Sequence, residues 1–287
     1  MRKRLRELFL RSLSSEEIAA VSSSYDIVGD IAIIRLQSNT EKTPAIAEAI
    51  MSVHKNVKTV LVQTTRVEGD FRLRGLSCVA GENRTVTVHR ELGCLFSVDV
   101  AECYFSPRLS NERARIARLV RPGETVVNMF AGVGCFSILI ANHVSNSKVY
   151  SIDVNPVAVQ FMTDNIRLNR VYGKVIPLLG DSKTIIENQL RGLADRVLMP
   201  LPEKALEYLP AALFALKPSG GWIHYHDFEH ALKNENPVEK TKEKVVEKFD
   251  RLGLYCEFPF SRVVRSVGPN WHQTVLDLHV CSVPDKS

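Results

Sequence analysis

The chain has 287 residues, a net charge of +5 and an apolar share of 45%, which suits one large domain with a smaller companion and excludes a disordered chain. Its 6 cysteines include no Cys-x-x-Cys pair, which excludes a disulfide frame or a zinc ribbon and predicts buried thiols in a reducing, cytoplasmic setting. No apolar run is long enough to span a membrane.

Residues 1–20 open with Arg2, Lys3, Arg4, Arg6 and Arg11 among Leu5, Leu8, Phe9 and Leu10, and read as an amphipathic helix with a shorter one after it. Tyr25 to Arg35 alternates and is rich in β-branched residues, predicting a strand or bulged hairpin. Thr43 to His54 repeats apolar residues at helical spacing. Strands are expected at 57–62, 76–79, 85–89 and 94–100. This first stretch, 1–102, reads as a small α+β domain. A helix capped by Ser110 and stopped by Arg121-Pro122-Gly123 connects it to the second domain, 103–287.

From Glu124 strands and helices alternate. Strands are expected near 124–130, 148–153, 174–179, 195–201 and 220–227, with helices near 136–143, 156–169, 183–190, 203–215 and 237–252. That spacing argues for a parallel, doubly wound α/β sheet. Leu254 to Val264 and Thr274 to Val280, joined through Gly268-Pro269, predict an antiparallel final pair, the ending of a class I S-adenosylmethionine-dependent (Rossmann-like) methyltransferase sheet. At the head of the alternation, Ala131-Gly-Val-Gly134 turns from strand to helix, and Asp153 ends the next strand. Glycines there allow unusual dihedrals, and an acid at that strand tip is placed to bind ribose hydroxyls. These features predict a nucleoside crevice. A dinucleotide dehydrogenase would put a third glycine at 137, where Ser stands.

Several blocks then match one family in order: Tyr25-Asp-Ile-Val-Gly-Asp, Gly69-Asp-Phe-Arg-Leu-Arg74, Tyr104-Phe-Ser-Pro-Arg-Leu-Ser-Asn-Glu-Arg113, Met129-Phe-Ala-Gly-Val-Gly134, Asp153-Val-Asn-Pro156 and Leu201-Pro-Glu-Lys-Ala205. In these the chain resembles archaeal and eukaryotic tRNA (guanine(37)-N1)-methyltransferases, in a short form without a further N-terminal domain. The resemblance implies methyl transfer from S-adenosyl-L-methionine to N1 of the guanosine 3′ of the anticodon. The partner is then the anticodon region of tRNA, and a monomer is expected. The small domain is expected on the side of the target base. A wybutosine-pathway cousin that transfers the aminocarboxypropyl group of the same cofactor shares much of the pattern. A non-catalytic RNA-binding module with the same fold is a further alternative.

Guanine N1 carries a proton at neutral pH, so the reaction needs a base for N1 and a donor for O6. By resemblance Glu112 is the base and Arg72 meets the guanine, with Arg74 close enough to exchange roles. An ion-paired structural role for Glu112, with Arg115 or Arg108, is the competing reading. For the cofactor the resemblance implies Arg113 on the methionine carboxylate, Gly132 and Gly134 in the loop, and Asp153 on the ribose. Asp181 and Ser182 would lie at the adenine, with Phe130, Val154 and Pro200 also lining the site. Asp181 also has the position of a helix N-cap. Three residues depart from the family pattern: Asn128 for Asp, Cys135 for Pro, and Pro200 for the Asn of Asn-Leu-Pro. The last removes an amide that would hold either the target or the cofactor, which slightly favours the cousin activity, although the cousin's blocks fit less well at Pro107-Arg-Leu109 and Leu201-Pro202. His224 and His226 alternate on one strand without further ligands at metal spacing, so packing or surface polarity is expected.

Overall fold

Apolar strands alternating with helices after residue 124 produce a seven-stranded sheet. The computed structural model describes residues 25–35 and 43–283; the helices read over the first twenty residues lie outside them. The chain divides into two compact units, Met1–Ser110 and Asn111–Ser287.

In the first unit, β1 (Tyr25–Val28) and β2 (Ile31–Ile34) form an antiparallel hairpin. β3 (Thr59–Gln63) runs parallel to β2, and β4 (Leu76–Gly81) antiparallel to β3. The sheet order is therefore β1-β2-β3-β4. Helix α1 (Thr43–Val53) buries Ile46, Ala47 and Ile50 in a cluster with Ala32, Ile34, Val60 and Val62, as its apolar spacing requires. β5 (Val86–Glu91) and β6 (Cys94–Asp99) make a separate two-stranded ribbon.

A 3₁₀ turn, Pro107–Leu109, leads into α2 (Ser110–Leu119). Ser110 is not the cap expected from sequence. Its backbone is already helical, because Pro107 starts the turn three residues earlier and the extended Ser106 occupies the cap position. The second unit then runs β7 (Thr125–Asn128), α3 (Cys135–His143), β8 (Lys148–Asp153), α4 (Pro156–Leu168) and β9 (Val175–Leu179). α5 (Ser182–Ile185) continues into a π-helical turn, Ile186–Leu190, within the span read as one helix. β10 (Arg196–Met199), α6 (Ala205–Ala215), β11 (Gly221–His230) and α7 (Pro237–Leu252) follow, then β12 (Glu257–Gly268) and β13 (Trp271–Val280).

The sheet order is β12-β13-β11-β10-β7-β8-β9. Strands β9, β8, β7, β10 and β11 are parallel, whereas β13 is antiparallel to both β11 and β12. The antiparallel ending expected from sequence is thus present, and the architecture is that of a class I methyltransferase. From β7 the chain winds outward to β9, then crosses over to β10. The carboxyl ends of β7 and β10 therefore border the switch point where such sheets bind ligands. Every residue of β10 is buried, and its Val197, Leu198 and Met199 are core residues, as a parallel central strand requires. Cysteines 94, 103, 135 and 256 are buried thiols, but Cys78 is half-buried and Cys281 exposed. Among the described residues no helix is long and apolar enough to cross a membrane.

Candidate active site

The crevice is built first by backbone. Gly134 caps α3 at a φ of +90°, and a Cβ there would lie 3.0 Å from Ile138 Cδ1 and from Met162 Cγ. The turn therefore needs glycine for both conformation and space. Gly132 N–H donates to Asp153 Oδ2 at 2.6 Å, and Asn155 N–H donates to Oδ1 at 3.0 Å. Burial pushes the Asp153 carboxyl up, against the amides of Asn155, Gly132 and Val154. Asp153 thus ties the β7–α3 turn to the tip of β8. Asn128 is buried beneath this turn, its amide donating to Ser137 Oγ at 3.1 Å. The departure from Asp therefore keeps a polar partner under the loop.

At the end of β9, Asp181 caps α5. Its Oδ1 accepts from the amides of Lys183 at 3.0 Å and Thr184 at 3.2 Å. Its Oδ2 accepts from the Tyr208 hydroxyl at 2.6 Å. Burial opposes its charge, but Tyr208 and the cap amides hold its carboxyl below the usual range. The Tyr208 ring meets Phe130 edge-on, with centroids 5.2 Å apart. Next to Asp181, Ser182 Oγ is buried with no hydrogen-bond partner among the described residues. A buried hydroxyl left without a partner is costly unless a ligand supplies one. Ser182, Asp153, Gly132 and Phe130 all sit at carboxyl ends of neighbouring strands, and this donor set fits a nucleoside with its ribose and base.

The second cluster surrounds Glu112. This residue stands in the first turn of α2 and is 1% exposed. Its Oε1 accepts from Arg115 Nε at 3.0 Å and Nη2 at 2.6 Å, and its Oε2 accepts from Arg262 Nη2 at 2.6 Å. Burial works against the charge of Glu112, but the Arg115 and Arg262 guanidiniums prevail and hold its carboxyl below the ordinary range. Arg115 reaches on to Asp277 of β13, Nη1 to Oδ2 at 2.6 Å and Nη2 to Oδ1 at 2.9 Å. His224 Nδ1 lies 2.6 Å from Asp277 Oδ1, and its Nε2 lies 2.6 Å from Arg196 Nη1. Arg196 is closed by a two-point contact with Glu124 at 2.8 and 3.1 Å.

Both histidines are buried rather than at the surface, so their part is internal. His226 Nδ1 has no hydrogen-bond partner among the described residues, and burial brings this imidazole down to about 4. The ion-pair reading of Glu112 is realised through Arg115; Arg108 instead donates to Asp26 of the first unit at 2.6 Å. Arg113 is buried beside Glu112 on α2. Val154 is exposed after β8, and Pro200 follows β10 at the switch point.

Arg72 belongs to the first unit. It holds a φ of +55°, uncommon for a side chain with a Cβ, and its guanidinium stacks over the Tyr104 ring at 4.1 Å. Burial and the nearby Arg35 bring the Arg74 guanidinium below its usual value. Sequence reasoning missed Arg262, Asp277 and Tyr208. Only Asp277 left a signal, an acid set between Val275-Leu276 and Leu278 in the strand read over Thr274 to Val280.

A family profile described as the TRM5/TYW2 methyltransferase domain matches residues 87–252, and one described as the TYW2 N-terminal domain matches residues 5–85. The tRNA (guanine(37)-N(1))-methyltransferase Trm5b of Pyrococcus abyssi is 39% identical over 90% of this chain and 75% of its own length. Its crystal structure superposes with a TM-score of 0.83 at 38% identity, over 97% of this chain and 80% of that one. The tRNA 4-demethylwyosine(37)-methyltransferase Taw21 of Saccharolobus solfataricus is also 39% identical, over 88% of this chain and 92% of its own. The structure of M. jannaschii TYW2 in complex with AdoMet superposes with a TM-score of 0.68 at 27% identity, over 91% of this chain and all (100%) of that one. With the domain profile matched over more than half its length, the chain belongs to the TRM5/TYW2 methyltransferase family.

Proposed function

We propose that this chain methylates N1 of guanosine 37 in tRNA with S-adenosyl-L-methionine, and that Glu112 takes the N1 proton. The observation that carries this reading is a buried carboxylate at the start of α2, ionised at neutral pH by its guanidinium partners, within a nucleoside-binding methyltransferase fold. The cofactor, when bound, supplies an electrophilic methyl on a positively charged sulfur and leaves as the neutral thioether. Asp153 would face its ribose, Asp181 and Ser182 its base, and Arg113 its carboxylate, the last through a two-point guanidinium contact. Gly132, Gly134, Phe130, Val154 and Pro200 would complete the lining.

On the substrate side, Glu112 accepts the proton as N1 bonds to the methyl carbon. Negative charge that would otherwise collect on O6 meets a guanidinium, assigned to Arg72 with Arg74 as its neighbour. The first unit, with these arginines, is assigned to the target-base side, and the protein to a monomer acting on the anticodon region. A second reading, aminocarboxypropyl transfer from the same cofactor, is favoured by Pro200 in place of an amide side chain. Label in the methyl carbon against label in the carboxyl carbon of the cofactor separates the two. Mass analysis of the nucleosides also reads whether guanosine or 4-demethylwyosine accepts the group.

Glu112→Gln keeps the size but gives up one of the two guanidinium contacts, since its amide nitrogen donates rather than accepts, and it cannot take the proton. Loss of a general base is expected to slow single-turnover methylation by about a hundred- to ten-thousand-fold, with tRNA and cofactor affinities little changed. A rate within about threefold of wild type, far short of such a loss, would show that Glu112 serves structure alone.

A further inference from the structure

As a base, Glu112 is under strong restraint. Guanidiniums on both oxygens favour the ionised form and so weaken its hold on an incoming proton. Arg115 acts from its own helix and Arg262 from β12, while the buried His226 of β11 is uncharged at neutral pH and adds no cation. Arg262 is partly exposed, at 39% of its side chain, and makes one contact with Glu112. Arg115 makes two contacts, and is the stronger restraint. Yet Arg115 also serves Asp277 through both terminal nitrogens, so one cation is divided between two carboxylates. Asp277 is itself fixed. A guanidinium can only donate, so His224 Nε2 accepts from Arg196 and the ring proton sits on Nδ1, donating to Asp277. The guanidinium plane of Arg115 is thereby set from the β13 side as well as from α2.

We propose that Asp277 is a positioning residue for methyl transfer: by locking Arg115 and sharing its charge, it keeps Glu112 oriented and basic enough to receive the guanine N1 proton. This rests on the assignment of Glu112 as base. Removing the charge of Asp277 leaves Arg115 wholly to Glu112 and also removes a neighbouring negative charge. Both changes make Glu112 a weaker base. An ion-pair network that merely fastens α2 to the sheet has a different signature, since its loss destabilises the fold whether or not Glu112 can take a proton.

The test is a double-mutant cycle in single-turnover methylation with saturating tRNA and cofactor. Asp277→Asn is expected to slow the reaction about tenfold through the weaker base, with unchanged affinity for tRNA and S-adenosylhomocysteine. Placed on Glu112→Gln, it is expected to add less than about twofold, because two residues acting through one proton transfer are not additive. Losses that multiply overturn the proposal. Arg115→Lys keeps the charge but cannot serve two carboxylates with a planar fork. It is expected to show the same loss and the same non-additivity, and it carries the cycle if Asp277→Asn does not fold.

A readout without turnover follows the Glu112 carboxyl by carbon-13 NMR in glutamate-labelled protein, its signal assigned by its absence in Glu112→Gln. Asp277→Asn is expected to lower its titration midpoint by about one pH unit, and an unmoved midpoint overturns the proposal. Wild-type protein that transfers no methyl group refutes the assigned reaction, while the NMR midpoint still decides the coupling.

Discussion

His226 carries a buried imidazole whose preference for the neutral form must be felt in stability. Burial brings it down to about 4, whereas the unfolded side chain titrates near its ordinary value of about 6.5. Between those values the unfolded state binds more protons, so stability rises with pH and is lost as pH falls through the window. On this basis His226 costs the fold about 2 kcal/mol on going from pH 7 to pH 5. His224, also displaced downward by burial, acts in the same direction. Burial opposes the charge of Asp277, but His224 and Arg115 hold its carboxyl well below the usual range, so its stabilisation is intact between pH 7 and pH 5 and is lost only at lower pH. Urea unfolding at the two pH values should show a steep loss for wild type and a flatter one for His226→Asn. Equal losses in both would place the acid sensitivity elsewhere.

At the scale of elements, the β7–α3 turn concentrates the constraints. Gly134→Ala puts a Cβ at a φ of +90° and within 3.0 Å of Ile138 and Met162. It is expected to cost about 1–3 kcal/mol, from backbone strain with the crowding added, and to weaken S-adenosylhomocysteine binding. Denaturant unfolding and calorimetry read the two effects separately; a variant as stable as wild type would mean that the turn relaxes. This turn was legible in sequence because glycine spacing and strand length are local signals. So were the spans of α4 and α7, whose caps the structure supplies as Asn155 for α4 and as Asn236 and the left-handed Gly253 for α7. The antiparallel end of the sheet was legible through Gly268-Pro269. What escaped reading was set by distant partners. Asp277 lies 162 residues from Arg115, and Arg262 lies 150 from Glu112, so nothing in either neighbourhood announces the pair. Asp181 was legible as acid and cap at once, but its bond to the Tyr208 hydroxyl was not. The span of α2 was legible, but its cap was not, because Pro107 opens a 3₁₀ turn before the serine that looked like the cap.

For the whole molecule, charge decides how a nucleic acid is approached. The net +5 is modest, so attraction depends on where the cations lie. In the first unit, Arg35 and Arg108 both bind Asp26, and Arg74 is close enough to both to feel their charge. Three guanidiniums around one carboxylate leave an excess able to meet phosphate. Binding of tRNA is therefore expected to fall by about tenfold or more between roughly 50 and 200 mM salt, as bound counterions are released. Arg74→Ala should reduce the slope of that dependence by about one. A flat dependence in equilibrium binding would remove this face from the RNA contact.

The network around Glu112 also imposes an order on biosynthesis. Chains emerge from the N-terminus, so α2 is made long before β12 and β13 deliver Arg262 and Asp277. Until then Glu112 and Arg115 have only each other, and burying them against an unfinished sheet would strand a charge. The start of α2 is therefore expected to stay hydrated, with only its local Glu112–Arg115 pair, until the last hairpin arrives. Completion of this ionic network thus coincides with completion of the sheet, and a chain ended before β12 lacks both Arg262 and Asp277 as partners for Glu112 and Arg115.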